Sequence, residues 1–176
     1  MSRNRTIFAN FFSKNHKTVA FGDRVWYNEE GKIHFFDKRR KIVKLIVCLS
    51  DDGGMMFNHR RQSRDRVLVA DMIHHTQDTP LWVSPYSAPL FGEDAPMLHI
   101  DPLPAKAAGK GDFCFVEDTP LPQTFDTVEE LIIYRWNRLY PSDVFFSCDT
   151  SAFTLQESTE FVGSSHDNIT KEIWRK

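Results

Sequence analysis

The chain has 176 residues, 22 Lys and Arg against 24 Asp and Glu, and a formal net charge of −2. That length fits one domain whose core needs no staples, and the charge balance removes a chain-wide electrostatic case for nucleic acid. Hydrophobic residues at 41% and charged residues at 26% describe a globular chain, not a disordered one.

In chain order, "TVAFGDRVWY" (Thr18 to Tyr27) is β-branched and aromatic and predicts a strand. "NEEGK" is a turn, Ile33 to Phe36 a return strand, and "DKRRK" a basic connection. "IVKLIVCLS" (Ile42 to Ser50) is almost wholly apolar and predicts a central strand covered on both faces. "DDGG" (Asp51 to Gly54) supplies positive φ for a tight turn, and Met55 to Phe57 pair back. The first third is therefore expected to be a four-strand antiparallel meander.

"NHRRQSRDR" (Asn58 to Arg66) then leads into a helix over "VLVADMIHHTQD", capped by Ser63 or Asp65. Leu68 with Met72 and Val69 with Ile73 are i,i+4 apolar pairs. From Pro80 to Pro122 the chain is Pro-rich. It reads as long loops around short strands, "LWV", "MLHI" and "DFCFVE". "FDTVEELIIYRWNRLYPSD" predicts a second helix. Thr127 and Glu130 form a capping box, and Val128, Leu131, Ile132, Trp136 and Leu139 form an apolar stripe that also carries Arg135. Pro141 ends the helix. "VFFSC", "FTLQ" and "ITKEIW" predict closing strands. The expected fold is α+β in a single domain over residues 1–176: a mostly antiparallel sheet with an N-terminal meander and two main helices packed on it.

Cys48, Cys114 and Cys148 are three in number, far apart and in apolar runs. The spacing fits neither a disulfide framework nor a zinc site, and the expectation is reduced, buried thiols. No stretch approaches the ~20 apolar residues of a membrane span. The start "MSRNRTIFANFFSKNHK" has no apolar signal core, so the chain reads as cytoplasmic.

The search for chemistry gives few candidates. Asp71, His74 and His75 share a helical spacing but lack the third anchor of a metal site, and no metal or cofactor is expected. No nucleophile elbow, phosphate loop or dinucleotide fingerprint is present. The carboxylate pairs are consecutive in sequence, so their side chains point apart. The sharpest cluster is His59, Arg60, Arg61 and Arg64, open to three readings: a general base with phosphate-clamping guanidinium groups, a partner contact, or a solvated helix start in which Arg60 and Arg61 tolerate truncation.

The small α+β domain, rich in aromatics and loops and without a recognisable catalytic set, resembles the immunity proteins of bacterial polymorphic toxin systems, those of contact-dependent growth inhibition included. "GGMMFNHRRQSRD" and "IIYRWNRLYPSD" have the look of family signatures. The resemblance implies a protein that binds and neutralises a cognate toxin domain, often a nuclease, and is not itself an enzyme. For such a partner the acidic turns Glu29–Glu30, Asp51–Asp52 and Glu93–Asp94, with the aromatic anchors Trp82 and Tyr86, are the expected contact residues. The alternative is an RNA- or nucleotide-binding enzyme working through His59, Arg60, Arg61 and Arg64.

Overall fold

A computed structural model describes residues 25–27, 33–35, 43–92, 95–121, 125–147 and 149–176. The chain divides into two units, Met1–Arg40 and Lys41–Lys176. In the first, β1 (Val25–Tyr27) and β2 (Ile33–Phe35) form an antiparallel ribbon with Trp26 opposite His34. The start of the first expected strand, the "NEEGK" turn with Glu29 and Glu30, the "DKRRK" connection, Glu93, Asp94 and Cys148 lie outside the described residues.

The second unit is built on a mixed seven-stranded sheet. Its strands are β3 (Val43–Leu49), β6 (Leu81–Val83), β7 (Leu98–Ile100), β8 (Phe113–Phe115), β9 (Val128–Arg135), β11 (Thr154–Phe161) and β12 (Ile169–Arg175), in the order β11-β12-β9-β3-β8-β6-β7. The four pairings from β9 across to β7 are parallel, and only β9–β12 and β12–β11 are antiparallel. A second, antiparallel sheet has the order β10-β4-β5, from β4 (Gly54–Phe57), β5 (Arg60–Arg61) and β10 (Val144–Phe145). The helices are α1 (Arg66–Thr76) and the single turn α2 (Pro104–Ala107).

This overturns the expected mostly antiparallel sheet with an N-terminal meander and two main helices. The segment expected as the second helix is β9, a parallel neighbour of β3, with Leu45 beside Leu131 and Val47 beside Ile133. Leu131, Ile132, Ile133 and Tyr134 are all buried. Leu131 and Ile133 face one core while Ile132 and Tyr134 face the other. A strand covered on both faces needs no polar alternation, so its apolar run imitates a helical stripe. The β-branched and aromatic content of "VEELIIYRW" was the discriminating signal. Thr127 belongs to a 3₁₀ turn (Phe125–Thr127), not to a helix cap. Glu130 is buried and accepts from Arg175 Nε at 2.6 Å.

Strand β3 is the central strand its apolar run predicts. Its Leu45 and Val47 face a core with Val116, Leu131 and Ile133, and its Ile46 faces the α1 side with Leu68 and Met72. The turn that follows is also as expected: Ser50 N–H donates to the Gly54 carbonyl (3.0 Å), Gly53 N–H to the Ser50 carbonyl (2.9 Å), and Gly53 has φ +81°. Gly54 differs. It is not left-handed but crowded, since a Cβ there would meet Ser142 Oγ at 1.9 Å. Beyond the turn β4 does not continue alongside β3. It pairs with β10 and β5 instead.

Candidate functional site

In open α/β sheets ligands bind outside the carboxyl ends of the parallel strands, where chain connections diverge to opposite sides. Here the chain leaves β3 for β6 on one side, and later crosses from β8 on that side to β9 on the other. The carboxyl ends of β3, β6 and β8 carry Ser50, Ser84–Ser87 and Glu117–Thr119, and the β4–β5 hairpin brings Arg61 among them.

That hairpin explains the densest part of "NHRRQSRDR". Asn58 (φ 48°) and His59 (φ 57°) are both left-handed, the requirement of a two-residue type I′ turn, and Asn and His tolerate that region better than most residues. The turn pairs Phe57 with Arg60 and Met56 with Arg61. His59, Arg60 and Arg64 are exposed, but Arg61 turns inward with a side chain only 9% exposed. Its Nη2 lies 3.1 Å from Glu117 Oε1 and donates to the Tyr86 carbonyl at 2.8 Å. Its guanidinium sits 4.5 Å from the Tyr86 ring centroid. Its backbone N–H donates to the Tyr86 hydroxyl at 2.9 Å. The expectation of a freely exposed Arg60–Arg61 pair is therefore corrected for Arg61, and the four residues do not form one exposed constellation.

Around this contact the polar groups are linked. The Ser87 hydroxyl donates to Glu117 Oε1 (2.8 Å), the Ser84 hydroxyl donates to Asp118 Oδ1 (2.6 Å), and Ser87 N–H donates to Ser84 Oγ (3.1 Å). Burial lifts the Glu117 carboxyl above its ordinary range, against the opposing pull of the Arg61 guanidinium and the Ser87 hydroxyl. Arg61 Nε and Nη1, Gln62 Oε1 and Thr119 Oγ1 are buried with no hydrogen-bond partner among the described residues.

The same unit has two larger cavities, and the second of them borders the cluster. A groove of about 770 Å³ runs along α1 between Val69, Ala70 and Ile73 on the helix and Leu90, Phe91 and Leu98 opposite. Arg64 and Arg66 line one end, and His74 also faces it. The size lies within the range of small-molecule sites, roughly 300–1,000 Å³. A second cavity of about 640 Å³ is more polar and is lined by Met55, Glu117, Asp126, Phe145 and Asp149.

The other end of the segment is bound differently. Asp65, as expected, caps α1: its Oδ1 accepts from Val67 N–H (2.9 Å) and Leu68 N–H (3.1 Å). Its Oδ2 accepts from Ser165 N–H (2.7 Å) and the Ser165 hydroxyl (2.9 Å), on the β11–β12 connection. Ser165 Oγ is 3.0 Å from His166 Nδ1, and His166 Nε2 is 2.8 Å from the Tyr140 hydroxyl. The imidazole stacks on Trp136 at 4.6 Å. Gly163 is required here, because a Cβ would meet Asp65 Oδ2 at 2.4 Å. Burial alone would raise the Asp65 pKa, but the hydrogen bonds from Ser164, Ser165 and Leu68 outweigh it and hold the carboxyl well below the usual range.

The other sequence candidates are dispersed. Asp51 and Asp52 are exposed on the turn after β3, where the Ser50 hydroxyl bonds Asp52 Oδ1 and lowers its pKa. Trp82 is half-buried: its Nε1 donates to Asp112 (2.8 Å) and its ring stacks on His99. Tyr86 is held by Arg61. Of Asp71, His74 and His75, Asp71 pairs with Lys171 (2.8 Å) and accepts from the Tyr134 hydroxyl (2.6 Å), while His75 Nδ1 lies 3.3 Å from Lys171 Nζ and His74 faces the groove. Burial, then the Lys171 charge, lowers the His75 pKa. The described cysteines, Cys48 and Cys114, are free thiols. Burial raises both, Cys114 to about 12. Sequence reading missed Glu117, Ser84 and Ser87. Acidic and hydroxyl residues directly after the apolar strands "LWV" and "DFCFV" were the available signal.

No protein-family model matches the chain, and no curated protein matches it. Among the described residues no helix is long and apolar enough to cross a membrane.

Proposed function

We propose that this chain binds a small amphiphilic molecule in the α1 groove, with an apolar body against Val69, Ile73 and Leu90 and an anionic group toward Arg64 and Arg66. The observation that carries the reading is the groove itself: a largely apolar concavity whose lining includes two arginines at the start of α1. Arg64 and Arg66 form no close salt bridge among the described residues, though the Arg64 charge acts on Glu117, and the carboxylate between them, Asp65, is turned inward. The test is a titration with anilinonaphthalene sulfonate, which has an apolar body and one anionic group. Saturable one-to-one binding by the folded wild type, abolished in Ile73→Trp and weakened in Arg64→Glu, supports the reading. Equal fluorescence from wild type and Ile73→Trp overturns it.

A second reading, a toxin-neutralising protein, draws support from a different surface. Phe57, Val144 and Phe145 are 50%, 44% and 49% exposed on the β10-β4-β5 ribbon, with the exposed Asp51, Asp52 and Asp143 nearby in the chain. Apolar anchors beside acidic residues suit a basic partner such as a nuclease domain. Co-expression with the product of the neighbouring gene tests this reading. It predicts co-elution that Phe57→Ser with Phe145→Ser abolishes, and separate elution of the two wild-type proteins rejects it. The nucleic-acid alternative loses its common surface once Arg61 is turned inward.

A further inference from the structure

We propose that Glu117, Ser87 and Tyr86 form a cage for a planar N–H cation on a ligand, such as a guanidinium or amidinium group, and that Arg61 fills it as a displaceable internal stand-in. The groups that meet the guanidinium are an acceptor set. Glu117 Oε1 lies at 3.1 Å, the Tyr86 carbonyl at 2.8 Å, and the Tyr86 ring presents its π-face at 4.5 Å. A carboxylate, a carbonyl and an aromatic face select a flat cation over an anion or a neutral apolar group.

The receptor and its occupant belong to unlike parts of the fold. Glu117 and Ser87 follow β8 and β6, past the carboxyl ends of those strands, and both are buried. Arg61 arrives on a two-residue strand behind an exposed turn at Asn58 and His59. Its fit is incomplete: only Nη2 is bonded, while Nε and Nη1 are buried without a partner among the described residues. Buried donors left unpaired are costly, so a cation that satisfies its own donors gains over Arg61. The cavity beside Arg61 is only about 20 Å³, room for one water. A larger group therefore enters only by displacing the side chain. The site lies at the carboxyl ends of the strands, and the inference does not rest on the α1 groove being a ligand site.

The probe is methylguanidinium at millimolar concentration, with the neutral near-isostere methylurea as control. Arg61→Gly should gain thermal stability saturably with methylguanidinium and not with methylurea, and Arg61→Gly combined with Glu117→Gln should lose the response. Because Arg61→Gly can fail to fold, the wild type is titrated in parallel with benzamidine while the Arg61 Nε–H resonance is followed by nitrogen-15 NMR. A saturable move of that resonance toward its solvent-exposed position supports the cage, whether or not the variant folds. Equal responses to methylguanidinium and methylurea, or a resonance that benzamidine leaves in place, overturn it.

Discussion

Two buried ionic groups stand four residues apart, and they are treated in opposite ways. Asp65 has both carboxylate oxygens occupied, two helix N–H groups on one and the Ser165 N–H and hydroxyl on the other. Arg61 keeps one nitrogen bonded and two without partners among the described residues. A fully satisfied buried charge fixes geometry, here by tying the start of α1 to the β11–β12 connection. One with donors left over fixes its geometry less tightly and is the easier of the two to rearrange. The contrast separates scaffold from site within "RQSRD".

The largest effect is expected at the scaffold end. Asp65→Ala removes the helix cap on the Val67 and Leu68 N–H groups, about 1 kcal/mol, together with the two bonds that Ser165 donates to the charged Oδ2, about 1.5 kcal/mol each. Denaturant unfolding should show a loss of about 3 kcal/mol or more. Arg61→Met comes next, at about 2–3 kcal/mol, because it leaves the buried Glu117 carboxyl without its cation. Burial raises the Glu117 pKa, so the carboxyl can take up a proton and that loss should shrink as pH falls. Adding Glu117→Gln to Arg61→Met should restore stability to within about 1 kcal/mol of wild type, since a buried pair replaced as a whole costs little. If the double variant is as damaged as Arg61→Met alone, the pair is scaffold and the contrast is broken.

The two carboxylates also differ in sign with pH. The folded-state pKa of Asp65 is depressed, so its contribution is complete above its unfolded value, about 3.9, and is lost as pH falls below it. The folded-state pKa of Glu117 is raised, so protonation favours the folded state as pH drops through that raised value. Stability measured from pH 6 to pH 2 should fall on the acid side in wild type and fall less steeply in Asp65→Asn. An unchanged acid slope would remove Asp65 from its assigned place. Smaller effects lie outside the pair. Gly53→Val should cost about 1 kcal/mol through its left-handed backbone. Arg60→Ala, at an exposed position, should cost under about 0.5 kcal/mol in thermal unfolding.

Much of this was legible in the sequence wherever the signal was local. The cap at Asp65, the Leu68–Met72 pair, the turn at Gly53 and the run of β3 each follow from a few neighbouring residues. The parallel sheet was not legible, because pairing of β3 with β8 and β9 joins segments far apart in sequence, and a strand buried on both faces loses its two-residue alternation. "VEELIIYRW" therefore satisfied helical spacing while forming β9. The candidate site was hidden for the same reason. Arg61 meets Glu117 across 56 positions of chain, and neither "NHRRQ" nor "VEDT" names the other.

Hydrogen exchange at two backbone amides tests the scaffold–site contrast most directly. Arg61 N–H is held by the Tyr86 hydroxyl and Leu68 N–H by the Asp65 carboxylate, at 2.9 and 3.1 Å. The hairpin that carries Arg61 is expected to open locally, whereas the Asp65-capped turn opens only with the whole domain. Arg61 N–H should then exchange at least about 100-fold faster than Leu68 N–H, corresponding to about 2.7 kcal/mol, with a rate nearly independent of low denaturant. Equal protection of the two amides, with the same denaturant dependence, would contradict the account and make Arg61 as fixed as Asp65.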